Sequence, residues 1–207
     1  MLKIWGRSNS INVQKVLWCC GELGLPFERI DAGMKFGVNN TPEYKAMNPN
    51  GLVPTIDDDG FILWESHAIV RYLARKHGLG TLCPAAAQQC ADADRWMDWY
   101  ATTIWPNLQP IFWNLIRTAP EQRKLTLVAE LTKKVAAAMA TLDAHLATHS
   151  YVTGEAFTMG DIPLGCAVVR WLNLPLERPH HANLDAYYQR LQRRPAYQQW
   201  ANVLPLT

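Results

Sequence analysis

Two short segments carry residue types that could hold a small zwitterion. In Trp64-Glu65-Ser66-His67-Ala68-Ile69, a carboxylate and a hydroxyl fall at the start of an apolar helical pattern. The first turn of a helix has free backbone N–H groups, which bind carboxylates. Ser66 would add a hydroxyl donor there, and Glu65 would accept from an ammonium. An α-amino acid end carries both charges and fits such a pair. The same two residues also read as an ordinary helix cap. Upstream, Asn50-Gly51-Leu52-Val53-Pro54-Thr55 sets a proline inside an apolar run. Proline removes a ladder donor, so its place in a strand needs a reason. A cis Val53–Pro54 bond would turn the chain and present the Val53 backbone to a ligand. An edge-strand proline is the alternative.

The elements around these segments are legible. Leu2 to Trp5 reads as a short buried strand. Asn9 or Ser10 can cap a helix to about Leu23, with Val13, Val16, Leu17 and Cys20 on its buried face. Gly24 stops it, and Phe27 to Asp31 is a second strand, which the crossover pairs in parallel. Thr41-Pro42 opens a short helix ending near Met47, and Asn48-Pro49-Asn50-Gly51 is a turn. Val53 to Ile56 and Ile62 to Trp64 then form a hairpin. The helix begun by Glu65-Ser66 presents Ile69, Val70 and Leu73 to a core. The order βαβ then ββα is that of a thioredoxin-like domain over residues 1–78. Residues 79–87, rich in Gly, Pro and Ala, read as a linker. Residues 88–207 show no strand pattern and predict an all-α helical bundle. Its first stretch, about Gln88 to Ile116, carries Pro106 and Pro110, which should kink or break it. A second runs from Glu121 to about His149. Thr158-Met159-Gly160-Asp161 opens a third, Asn183 caps a fourth, and the tail beyond Pro195 adds a last turn or two.

Composition narrows the function classes. Of 207 residues, 49% are hydrophobic, enough for a substantial core. The net charge of +2, with no long basic run, does not point to nucleic acid. No apolar run has membrane-spanning length and the N-terminus is not signal-like, so no membrane partner and a cytoplasmic location are expected. Cys19, Cys20, Cys83, Cys90 and Cys166 are an odd set without Cys-x-x-Cys. Neither a disulfide framework nor a dithiol or zinc motif is indicated. His180-His181 in a loop makes no metal site, and none is expected. Cys20 reads as a buried small hydrophobe and His67 as a surface helix residue.

Taken together, Asn48-Pro49-Asn50-Gly51-Leu52-Val53-Pro54-Thr55 and Glu65-Ser66-His67-Ala68-Ile69-Val70-Arg71-Tyr72-Leu73 resemble the cytosolic glutathione transferase superfamily. The resemblance spans essentially the whole chain. It implies that Val53, before a cis Pro54, pairs with the cysteinyl backbone of glutathione. It implies that Glu65 and Ser66 hold the γ-glutamyl end. Phe157-Thr158-Met159-Gly160-Asp161 looks like the family's buried capping motif, with Thr158 and Asp161 serving folding rather than chemistry. Gly6-Arg7-Ser8-Asn9-Ser10-Ile11-Asn12-Val13 is similar to the loop that activates the thiol. Ser10 falls where theta-like members have serine and beta-like members cysteine; no tyrosine is present. A hydroxyl donor at a helix start favours a thiolate, the nucleophilic form. Asn12 is a competing donor, and Ser10 could be a cap alone. Phe36, Trp99, Trp105 and Trp113 are candidate walls for a second substrate. The function implied is addition of glutathione, as co-substrate, to a small hydrophobic electrophile, in a detoxification role and as a homodimer. A glutathione-dependent reductase or peroxidase, or a non-catalytic adaptor on the same fold, are the alternatives.

Overall fold

The computed structural model describes all 207 residues, Met1 to Thr207. Strand β1 (Leu2–Trp5) buries Leu2 and Ile4 and stands inside a four-stranded sheet of order β2-β1-β3-β4. It pairs in parallel with β2 (Phe27–Ile30), Leu2 opposite Phe27, and antiparallel with β3 (Thr55–Asp58), Trp5 opposite Thr55. Strand β4 (Phe61–Trp64) closes the hairpin, Asp58 opposite Phe61. Its two-residue turn puts Asp59 at φ +52° and Gly60 at φ +95°, the left-handed pair a tight hairpin demands. The third strand therefore starts later than the apolar run Val53 to Ile56 predicts. Pro54 has no N–H to give, and Val53 enters no backbone ladder.

Helix α1 (Ile11–Glu22) follows β1, α2 (Pro42–Met47) follows the loop after β2, and α3 (Ser66–His77) follows β4. Every residue of α1 from Val13 to Cys20 is buried, not one face alone. The reason lies in the second half of the chain, which covers the side turned away from the sheet. Residues 78–86 join α3 to α4 (Ala87–Trp99), followed by α5 (Trp105–Phe112), α6 (Leu125–Leu146), α7 (Asp161–Asn173), α8 (Ala182–Gln192) and α9 (Pro195–Trp200). Against α1, α7 comes so close that a Cβ on Gly165 would stand 2.7 Å from the Trp18 ring. From the loop before α9, Arg194 grips Glu22 at 2.9 and 2.6 Å. One core of 47 residues runs without a break through both halves, so the sheet and the bundle are expected to unfold together.

The proline-bearing stretch is bent rather than broken. Wide turns at Tyr100–Ile104 and Trp113–Arg117 flank α5. Asn107 and Asn114 donate to the Thr103 and Pro110 carbonyls, each at 2.8 Å. Helix α6 starts at Leu125, after a short turn at Pro120–Gln122, rather than at Glu121. Asn183 is not a cap; Asp143 of α6 supplies one, accepting from the Leu184 N–H at 2.8 Å.

The capping motif before α7 keeps half of the sequence expectation: Asp161 bonds back to the Thr158 N–H, but the hydroxyl cap is absent. The helix begins at Asp161 itself, and the Thr158 hydroxyl does not cap it. That hydroxyl instead meets Thr153 Oγ1 at 3.1 Å and Asp161 Oδ2 at 3.4 Å. The carboxylate does the joining. Asp161 Oδ2 accepts from the Thr158 N–H at 2.9 Å; Oδ1 accepts from the Val152 N–H at 3.0 Å and from the Tyr187 hydroxyl at 2.9 Å. One fully buried side chain thereby fastens the loop before α7 and the middle of α8 to the start of α7.

Candidate functional site

The C-terminal end of β1, the start of α1, the Val53–Pro54 corner and the start of α3 meet on one side of the sheet. The Val53–Pro54 bond is cis. Neither the N–H nor the C=O of Val53 has a hydrogen-bond partner in the chain. A donor and an acceptor left open beside a strand suit an extended peptide, which can add its own backbone to them. Around the corner, Tyr44 and Asn48 of the α2 region hold the loop from behind. The Tyr44 hydroxyl donates to the Leu52 carbonyl at 2.6 Å and Asn48 Nδ2 donates to it at 2.9 Å.

Glu65 stands at φ +71° and Ser66 begins α3. A left-handed backbone is unusual for glutamate and costs on the order of 1–3 kcal/mol, which persists where the surroundings fix it for a use. Here it turns the chain out of β4 so that α3 starts facing the Val53 corner. Ser66 is buried, yet its hydroxyl bonds nothing in the chain, and the Glu65 carboxylate has no ion pair. A small cavity is walled by Val53, Pro54, Glu65 and Ser66, with Asn12 and Asn50 completing it. The structure thus brings together, around one cavity, the four residues that the sequence reading proposed for binding.

A larger cavity of about 260 Å³ adjoins the first and continues toward α5. Ser10, Trp105 and Trp113 line it. Asn12, Leu52 and Val53 are common to both cavities, and of these only Asn12 carries a side-chain donor. Phe36 does not join them. It sits in the short turn Met34–Phe36, exposed, with Lys35 over its ring. Trp99 packs edge-on against Trp96, its ring centroid 5.2 Å away.

The sequence reading missed Lys15. It projects from α1 and is 2% exposed. Its Nζ donates to Asn12 Oδ1 at 3.0 Å, faces His67 Nε2 at 3.1 Å, and lies 4.2 Å from the centre of the Tyr100 ring. An ammonium has donors only, so Asn12 must turn its oxygen to Lys15 and its Nδ2 elsewhere. Burial pushes His67 down to about 2, with Lys15 and Arg71 adding to it. The imidazole is therefore neutral, accepts from Lys15 and is not the surface residue expected. Burial likewise pushes Lys15 down to about 7. A lysine three positions after Asn12 on one helix face was the available signal, since i and i+3 meet.

The missed arginines are Arg7, Arg117 and Arg170, all on the larger cavity. They come from the β1–α1 loop, the end of the α5 region and α7, so no local spacing could have united them.

A sheet of this order, with a cis-proline corner and a helical bundle over α1, defines a thioredoxin-like fold extended by an all-helical domain. Two family descriptions match the chain: "Glutathione S-transferase, N-terminal domain" over residues 9–76 and "Glutathione S-transferase, C-terminal domain" over residues 126–201. Glutathione S-transferase GstB of Escherichia coli K12 is 42% identical over 95% of both chains. Glutathione S-transferase 3 of Zea mays is 31% identical over 99% of this chain and 95% of its own. The theta class glutathione S-transferase of Xanthomonas axonopodis pv. citri, solved with glutathione bound, is 44% identical, with a TM-score of 0.96 over 100% of this chain and 99% of that one. The chain belongs to the glutathione S-transferase family and is a glutathione transferase. No helix is long and apolar enough to cross a membrane.

Proposed function

We propose that the protein binds glutathione across the smaller cavity and activates its thiol at the junction with the larger one. The observation that carries this reading is the set of open groups: both backbone groups of Val53, the Ser66 hydroxyl and the Glu65 carboxylate. They are open to the small cavity and unpaired within the chain, and they match the cysteinyl backbone and γ-glutamyl end of one ligand. With the peptide so placed, its sulfur falls beside Asn12, whose amide Nδ2 is turned outward by Lys15, and toward Ser10, whose hydroxyl is free and faces the larger cavity. Both donate to the thiolate. The start of α1 adds a favourable field for the anion, and Lys15, cationic below its pKa of about 7, lies behind Asn12. The thiolate then attacks an electrophile in the larger cavity between α1 and α5. No cysteine lies in this loop, which favours transfer over thiol-exchange reduction.

Ser66→Ala and Glu65→Ala are expected to act on affinity rather than on the bound reaction, since they meet the end of glutathione remote from sulfur. Isothermal titration should show glutathione binding at least tenfold weaker in each, about 1.4 kcal/mol. Unchanged binding in both would show that the γ-glutamyl end is held elsewhere.

The assembly proposed is a homodimer acting in the cytoplasm. Phe61 and Trp64 on β4 are exposed side chains, and a second copy would cover them. Light scattering at micromolar concentration should give about twice the 23.4 kDa chain mass; a monodisperse monomer would reject it.

A further inference from the structure

The wall of the larger cavity opposite Val53 combines three cations with three aromatic rings and no acid. Arg7, Arg117 and Arg170 line it beside Trp105, Phe112 and Trp113, and none of the arginines takes part in a salt bridge. Arg170 is 5% exposed, and its side chain's one hydrogen bond is a long 3.4 Å contact to the Asn9 carbonyl. Arg117 donates to the Thr207 main-chain oxygen at 2.9 Å. The Arg7 side chain makes no hydrogen bond, and its Nε is buried without a partner. The guanidinium of Arg170 lies 4.1 Å over the Phe112 ring, and that of Arg117 lies 4.9 Å from both Phe112 and Trp113. Faces spent on rings leave guanidinium edges to donate, in the fork that suits a carboxylate. The cations also oppose one another. Burial lowers Arg117, with Arg7 adding, and burial lowers Arg170 to about 10, with Arg117 and Arg7 adding. Buried charges are ordinarily paired, yet the buried Arg170 and the half-buried Arg7 have no carboxylate partner in the chain, while Arg117 already bonds the oxygen of Thr207, the last residue.

We propose that the second substrate is a flat aromatic electrophile bearing a carboxylate, its anion held by Arg7 and Arg170 and its ring set among Trp105, Phe112 and Trp113. The proposal rests on the transferase reading above and names the substrate class for that site. The thiolate adds to the ring carbon that carries a halide. A C–S bond forms, the C–Cl bond breaks, and chloride leaves with the bonding pair. The thiol proton has already gone to solvent, so the products are the thioether, chloride and one proton.

The glycyl carboxylate of glutathione is the other carboxylate within reach of such a cluster, and the test separates the two. Turnover of 4-chloro-3-nitrobenzoate is compared with 4-chloro-3-nitrobenzamide, each kcat/KM divided by its uncatalysed rate with glutathione. The acid is expected to be preferred at least tenfold, and Arg7→Met to reduce that preference tenfold or to abolish it. Arg7 is half-buried and its side chain makes no hydrogen bond, so the substitution is compatible with folding; Arg170→Lys, which keeps the charge and loses the fork, should lower the preference in the same direction. Equal loss for acid and amide together with weaker glutathione binding would assign the arginines to the glycyl end and overturn the proposal. So would a wild type indifferent to the charge. A second readout does not need turnover. Tryptophan fluorescence should report 3-nitrobenzoate binding at least tenfold tighter than 3-nitrobenzamide. Tight, Arg7-dependent binding without turnover would sink the transferase mechanism and leave the carboxylate site standing. No preference in binding would overturn the site itself.

Discussion

Asp161→Ala should be the most destabilising single change in the molecule, lowering stability by about 3 kcal/mol or more. The substitution leaves the Val152 and Thr158 N–H groups and the Tyr187 hydroxyl without their acceptor, all in the interior. Each buried unsatisfied group costs about 1–3 kcal/mol, against about 0.5–2 kcal/mol for loss of an ordinary cap. For a chain of this size the melting temperature should fall by roughly 6–12 °C. Residual folded enzyme should still bind glutathione normally, because the carboxylate touches nothing in either cavity. A change of under 1 kcal/mol in denaturant unfolding would show that the network carries little. The carboxylate also links stability to pH. Burial pushes it up to about 6 from 3.8, although four hydrogen bonds from Val152, Thr158 and Tyr187 pull it back. A group raised in the folded state binds protons more tightly there than in the unfolded chain. Its contribution is therefore fully present below pH 3.8 and is lost as pH rises through about 6. Asp161→Asn should remove that slope while remaining destabilised, since its NH₂ would face donors.

Asn12→Ala should lower kcat/KM at neutral pH by about tenfold to a hundredfold. A hydrogen bond to a charged group is worth about 1.5–3 kcal/mol, or roughly 1–2 units in the pKa of the bound thiol. The loss arises because the thiolate is no longer favoured, so activity should recover at higher pH. Ser10→Ala should act in the same direction and more weakly. Ser10 faces the larger cavity alone, whereas Asn12 stands where the two cavities join. Lys15→Met should reproduce much of the Asn12 effect, because it frees the amide to rotate. Variants with an unchanged pH–rate profile would place thiol activation elsewhere.

Local pattern made the sheet and the proposed glutathione-binding half of the site legible. Val53, Pro54, Glu65 and Ser66 lie in two segments whose chemistry is written in sequence, namely a proline inside an apolar run and an acid–hydroxyl pair opening a helix. The structure adds why they face one another: the hairpin between them turns on Asp59 and Gly60 alone. The capping motif was visible, but not that Asp161 would gather Val152 and Tyr187 from other elements. The cavity wall was hidden for the same reason. Arg7, Arg117 and Arg170 meet only after α5 and α7 pack over α1, and Phe36 stays out because its loop turns away. Lys15 was hidden by its type, since lysine on an amphipathic helix is ordinarily solvated. Here both faces of α1 are covered, and the ammonium is kept inside by Asn12, His67 and Tyr100.

The thiol pKa of glutathione bound to the wild-type protein tests the central claim most directly. Ultraviolet thiolate absorbance of the binary complex, followed from acid to alkaline pH, yields it without any second substrate. The account predicts a midpoint at least one unit below the ordinary thiol value of about 8.5, moving back toward it in Asn12→Ala. A wild-type midpoint at about 8.5, in a complex shown to be saturated, would contradict it.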